Sequence, residues 1–170
     1  MGRLDDWRFC PRCASAIELE GRHALCAACG FDFWGNAAPA AEALVVRDGR
    51  ALLARRAIEP RRGLWDLPGG FLDEWEHPHD GVRRELLEET GLAIEVGPFL
   101  GAAIEDYGGR SVLILTFLAT APVGEPRAAD DVAELAWVGP EEMPPPEEIA
   151  WRWHAEVLAR WASGSAGPES

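Results

Sequence analysis

Lysine is missing from this 170-residue chain: all 16 basic residues are arginine, set against 29 acids for a formal net charge of -13. Together with the abundance of alanine and proline, this reads as compositional bias more than mechanism. The acidity bears on partners and not on fold, because an unscreened polyanion would be repelled on approach. Long apolar runs are also lacking. The most apolar stretch, Val112 to Ala119, is far too short to span a bilayer. The opening MGRLDDWRFC has no apolar segment that could act as a secretion signal, so no membrane role and a cytoplasmic location are expected. No internal repeat is present, and 170 residues leave room for one sizeable core beside a small extra unit.

Cysteine is scarce, and all 4 copies fall in one short segment as Cys10, Cys13, Cys26 and Cys29. Two C-x-x-C pairs with this separation have the spacing of a four-thiolate tetrahedral zinc site. Two disulfides or free structural thiols are the alternatives, and disulfides would require an oxidising compartment. Pro11 and Gly30 favour the tight turns of metal knuckles, and some thirty residues hardly build a core without such a staple. The segment from Met1 to Gly35 carries 4 arginines against 5 acids, a balance of -1, so no basic stripe offers itself to a nucleic acid. Phe9, Phe31, Phe33 and Trp34 are then better read as a miniature core than as a stacking surface for bases.

The densest pattern is GFLDEWEHPHDGVRRELLEETGL, from Gly70 to Leu92. Pro78 suits a first helical position, Asp80 places an acid in the first turn, and Gly91 stands where a left-handed cap closes a helix, with His77 as an imperfect N-cap. Glu85, Glu88 and Glu89, at i, i+3 and i+4, then project from one face beside the apolar pair Val82 and Leu86. Three like charges on one stripe repel, so the face is either well solvated or used to hold a cation.

Spacing separates these alternatives. Gly70, Glu76, Arg84-Glu85, Glu88-Glu89, Gly91 and Leu92 fill every defined position of the signature of the Nudix hydrolases, enzymes that cleave nucleoside diphosphates linked to another group. The chain is therefore identified as similar to that family over roughly Ala37 to Trp161. The resemblance implies Mg2+ (or Mn2+) held by Glu85, Glu88 and Glu89. It makes Glu76 a supporting acid and Arg84 the arginine that orients the glutamates. The LPGG of Leu67 to Gly70 resembles the family's loop, in which a glycine carbonyl, here that of Gly69, completes the metal shell; an ordinary tight turn is the alternative. Such chemistry suits hard cations, which take oxygen ligands, neutralise the diphosphate and lower the pKa of a bound water.

A four-cysteine ribbon ahead of such a domain resembles NADH pyrophosphatases and related ADP-ribose or FAD pyrophosphatases, and EPRRGLWDLPGG is closer to the latter. The NADH enzymes carry a downstream signature resembling SQPWPFP, and nothing between Gly101 and Trp161 matches it. Glu147 to Trp151 has a faint likeness to a helix start in the ADP-ribose and FAD group. Beyond the box, Arg55, Arg56, Arg61 and Arg62 could clamp phosphates or simply be exposed. Trp65 or Tyr107 could stack on a base or pack in the core. The base is Glu89 itself or a later carboxylate, with Glu105, Asp106 and Glu134 as candidates, any of which could instead be an extra metal ligand.

Short strands are expected at Glu42 to Arg47 and Arg50 to Arg55 around Asp48-Gly49, at Gly97 to Glu105 and Ser111 to Thr120 across Tyr107-Gly108-Gly109, and at Glu134 to Val138. Arg56 to Gly63 and Ala121 to Asp131 read as loops. Glu147 to Trp161 reads as a helix burying Ile149, Trp153, Val157 and Trp161. The expected architecture is α/β: a small zinc ribbon over 1–35, a Nudix-type α/β/α sandwich with a mixed sheet over 36–161, and a disordered tail over 162–170. The expected activity is release of a nucleoside monophosphate from an ADP-ribose, FAD or NADH type of substrate, with structural Zn2+ and catalytic Mg2+; a homodimer is compatible with the pattern. A nucleoside triphosphate pyrophosphatase and a non-catalytic nucleotide sensor or nucleic-acid-binding module are the alternatives.

Overall fold

The computed structural model describes residues 4–165. A three-stranded antiparallel sheet comes first: β1 (Glu18–Glu20), β2 (His23–Leu25) and β3 (Asp32–Trp34). Next come β4 (Ala38–Arg47), β5 (Arg50–Arg56), β6 (Trp65–Asp66), β7 (Gly69–Phe71), α1 (Pro78–Thr90), β8 (Glu95–Tyr107), β9 (Arg110–Thr120), β10 (Val132–Val138) and α2 (Arg152–Ala162). Strands β4 to β10 form one sheet whose spine runs β10-β5-β4-β9-β8, with β6 on β5 and β7 on β4. The β4 and β9 pair is parallel and the others are antiparallel, so the sheet is mixed, as expected.

Side chains alternate across a strand, and here the alternation builds two cores. Ala43, Val45 and Leu52 pack with Val82 and Leu86 of α1, whereas Leu44 and Leu53 pack with Val157 and Leu158 of α2. The helices therefore cover opposite faces of the sheet. Val82 and Leu86 are fully buried, and such burial stabilises by roughly 1.5–3 kcal/mol per side chain. No helix among the described residues is long and apolar enough to cross a membrane.

The pattern underestimates the strands and overextends the second helix. β4 starts at Ala38 because residues 38–46 pair in parallel with β9, and two short strands, β6 and β7, follow the loop after β5. The expected helix over Glu147 to Trp161 begins only at Arg152. Before it, Pro146–Glu148 is a single tight turn, and Ile149 bridges Trp65 while the Ala150 amide donates to the Trp65 carbonyl at 2.7 Å. Sheet contacts thus extend residues that periodicity alone assigns to the helix. Ile149 is buried but off the helix, and Trp153 and Trp161 are only half-buried. Ala162 ends α2 and Ser163 to Ser165 close it with backbone bonds; the remainder of the expected tail, 166–170, lies outside the described residues.

Candidate active site

Helix α1 is built as its sequence requires. His77 accepts the His79 amide through Nδ1 at 3.2 Å, and Gly91 closes the helix in the left-handed region at φ 70°, its amide donating to the Leu87 carbonyl. Loop residues Arg127 and Ala129 donate backbone hydrogen bonds to the carbonyls of Thr90 and Glu89, which satisfies the helix end and brings the following Asp131 against Glu89.

Arg84 organises the helix face. Its guanidinium grips Glu76 with two bonds, at 2.9 and 2.8 Å, and donates to Glu85 at 2.8 Å, to Glu88 at 3.2 Å and to the Phe71 carbonyl at 3.1 Å. A planar fork makes the paired grip on Glu76 possible, which a lysine ammonium, a compact point charge, does not reproduce. The bonds from Arg84, with one from the Asp73 amide, hold Glu76 ionised down to about 2. Glu85 is shifted in the opposite direction: burial raises its proton affinity, with Glu88 and Asp131 adding to the effect against the pull of Arg84.

Glu89 is the most perturbed acid of the helix. It is 6% exposed and accepts the Gly69 amide at 2.9 Å. Burial foremost, then the Asp131 charge, push its carboxyl up to about 9, against the lowering effect of that amide. Two glycines shape the approach. Gly69 adopts φ 151°, and a Cβ there would collide with Glu42; a Cβ on Gly70 would lie 2.5 Å from the Glu85 carboxyl carbon.

These groups line a cleft of about 370 Å³, a usual size for a small-ligand site, with Glu85, Glu89, Asp131, Gly69 and Gly70 at one side and Arg56, Tyr107 and Trp151 at another. Glu88 is more than half exposed, outside the cleft lining, and held only through Arg84. Oxygen donors predominate, and crowded carboxylates with raised proton affinities are a setting that a hard divalent cation relieves. Glu85, Glu89 and Asp131 could hold such an ion.

Of the remaining sequence candidates, Arg56, Tyr107 and Glu105 reach the cleft. Arg56 bonds Asp66, the Pro60 carbonyl and the Tyr107 hydroxyl, and Tyr107 stacks on Trp151 at 5.5 Å. Glu105 accepts the Trp153 amide at the start of α2. The others are not brought there. Arg55 turns away to pair with Glu134 at 3.1 Å and to lie over Trp65; Arg61 lies over Trp151, Arg62 is exposed, and Asp106 accepts the Gly109 amide of its hairpin. Sequence reasoning missed Asp131, inside a segment read simply as a polar loop, and also Glu42, Asp66, His154, Phe71 and Trp151. Asp66 and Phe71, on either side of LPGG, and Trp151, at the end of the Glu147 to Trp151 stretch, had a neighbouring motif to signal them.

The four cysteines form a second constellation. Their Sγ atoms lie within 4.8 Å of one another, with Cys10 to Cys29 and Cys13 to Cys26 each at 3.6 Å. Sulfurs of a zinc tetrahedron stand about 3.8 Å apart, given zinc–sulfur bonds of about 2.3 Å. Matching turns build the two halves, with the Ala14 amide bonded to the Cys10 carbonyl and the Gly30 amide to that of Cys26, each at 2.9 Å. Trp7 stacks on Phe33 at 5.3 Å and on Phe31 at 6.3 Å, so these rings pack together, while Phe9 and Trp34 remain exposed.

Comparison with known proteins places this geometry. Residues 37–161 match the family described as the NUDIX domain. An ADP-ribose pyrophosphatase of Methanocaldococcus jannaschii is 33% identical over 132 residues, covering 75% of this chain and 76% of that protein. An NAD-capped RNA hydrolase NudC of Vibrio parahaemolyticus is 30% identical over 143 residues, 81% of this chain; the match spans only 53% of that protein's length. A NUDIX hydrolase structure from Nitrosomonas europaea superposes with a TM-score of 0.81 over 96% of both chains at 24% identity, a likeness of fold.

Proposed function

We propose that this chain, which belongs to the Nudix family, hydrolyses the diphosphate bond of a nucleoside diphosphate derivative with Mg2+ (or Mn2+), releasing a nucleoside monophosphate. The observation that carries this reading is the convergence of Glu85, Glu89 and Asp131 with the Gly69-Gly70 turn in one cleft, under an arginine that holds three glutamates.

Glu85 and Glu89 would hold the ion, with Glu88, Asp131 and Gly69 as further ligands. A bound metal ion of this kind neutralises the diphosphate and lowers the pKa of the attacking water. Arg84 keeps Glu85 and Glu88 oriented, while the Gly69 amide fixes one Glu89 oxygen and Asp131 bonds the same carboxyl. Without a cation Glu89, raised to about 9, keeps its proton at neutral pH; a bound ion would favour its ionised form, in which it could take a proton from water, with Asp131 beside it and Glu105 as the alternative. Phe71 and Tyr107 offer aromatic surface for a base. The ribbon of residues 1–35 holds structural Zn2+.

ADP-ribose leads as substrate, because the Methanocaldococcus relative that matches three quarters of the chain carries that activity in its name. The test is a chromatographic product screen with Mg2+ against ADP-ribose, FAD, NADH and nucleoside triphosphates. AMP from ADP-ribose, FAD or NADH supports the proposal. Diphosphate released from triphosphates instead makes the protein a nucleotide-pool sanitising enzyme, and silence on every compound points to a binding role.

A further inference from the structure

A chain of alternating charges lines part of the cleft, and the catalytic proposal leaves it unused. His154, only 1% exposed, stands between two carboxylates, with Nε2 at 2.7 Å from Glu42 and Nδ1 at 2.6 Å from Asp66. Asp66 is paired in turn with Arg56 at 2.7 Å, and Glu42 accepts the Thr116 hydroxyl at 2.7 Å, whose oxygen accepts the Trp153 indole N–H at the same distance. Two anions and two cations balance. Burial alone would drive the imidazole to its neutral form, but Glu42 and Asp66 overcome it and raise His154 to about 10.

Both ring nitrogens of His154 face carboxylates at ion-pair distance without hydrogen-bond alignment, so the ring is held between them by charge. Its partners define its task. Glu42 pairs through its backbone across the sheet with Gly69, and Asp66 immediately precedes Leu67, so the residues bearing the two carboxylates flank the two ends of the Leu67 to Gly69 turn. The Leu67 amide nitrogen lies 3.5 Å from His154 Nδ1, so the ring stands directly against the turn.

We infer that His154 is a positioning residue: by tying Glu42 to Asp66 it closes the Leu67 to Gly69 turn on itself and so sets the Gly69 amide on Glu89. The inference deepens the proposed function and rests on it only for its effect on turnover. Groups that orient the ligands of a metal site typically matter by about 10- to 100-fold. Helix α2 thereby acts on the cleft from the opposite side of the sheet, through charge and not through packing alone.

The test compares His154→Gln with Val157→Ala, which removes packing from the same helix without touching the charge chain. Hydrogen–deuterium exchange of the segment from Trp65 to Leu72 and ADP-ribose turnover at saturating Mg2+ are read at a temperature where both variants remain folded. The expected result is that His154→Gln speeds exchange of that segment about 10-fold and lowers kcat by about 10-fold or more with KM within about 3-fold. Val157→Ala should do neither at a comparable loss of Tm. Equal behaviour of the two variants overturns the inference. Should His154→Gln fail to fold, Glu42→Gln keeps the shape and removes one ionic tie; unchanged exchange there overturns it equally. A wild type that releases AMP from none of ADP-ribose, FAD and NADH contradicts the proposed function and leaves the exchange result to decide this inference.

Discussion

Replacing Glu89 by glutamine should stop turnover and yet make the Mg2+-free protein more stable, increasingly so as pH rises. The Glu89 carboxyl is pushed from an ordinary 4.5 to about 9 by burial and by Asp131, so the native state holds a proton that the unfolded chain gives up in between. Its contribution to stability is complete below about 4.5 and is lost as pH climbs towards about 9. pH 8 lies 3.5 units above the ordinary 4.5 of the unfolded carboxyl, so keeping the proton costs the native state on the order of 5 kcal/mol at most, against about 1 kcal/mol at pH 5. Glutamine stays neutral throughout, can still accept the Gly69 amide, and can donate towards Asp131. With relaxation of the site, a gain of about 2–4 kcal/mol at pH 8 is expected, or a Tm rise of roughly 4–16 °C for a chain of this size. Thermal melts of both proteins, freed of Mg2+ by dialysis, at pH 5 and pH 8 provide the assay. A glutamine variant that is less stable at both values, or equally shifted at both, would refute the argument that Glu89 is a strained acid awaiting a cation.

Other consequences are as direct. Gly70→Ala should cut kcat by about 100-fold with little change in Tm, because its Cβ would press on the Glu85 carboxyl at 2.5 Å; steady-state kinetics beside a melt separates the two effects. Arg84→Lys should lose the two-bond grip on Glu76 and lower kcat/KM by about 10- to 100-fold, and a near-normal value would show that the glutamates need no such holder. One zinc per chain should appear in native mass spectrometry, and Cys26→Ser should abolish it together with the near-ultraviolet signal of Trp7 stacked on Phe33.

The box and the ribbon were legible because their chemistry is local in sequence. Carboxylates at i, i+3 and i+4 share a helix face whatever surrounds them, and two C-x-x-C turns need only a third dimension to meet. The mixed sheet flanked by helices could likewise be anticipated from alternating strands and two amphipathic runs. The missed residues belong to distant elements. Asp131 reaches Glu89 only because a loop caps the end of α1, and His154 meets Glu42 and Asp66 only after α2 has packed across the sheet. Arg55 and Arg56 show the limit of local reading, since neighbours in a strand face opposite ways and only one of them enters the cleft. The early helix start at Glu147 failed for a related reason, as a bridge to Trp65 outweighed the periodicity of its apolar residues.

The central claim is that crowded carboxylates at one cleft wall use a divalent cation to open a diphosphate bond. It is tested most directly by following AMP release from ADP-ribose with Mg2+ for the wild type, Glu85→Gln and Glu89→Gln in parallel. The account predicts Mg2+-dependent AMP release by the wild type and a loss of about 100-fold or more in each variant, with both still folded. Turnover near the wild-type rate in both variants, or wild-type turnover that ignores Mg2+, would contradict it.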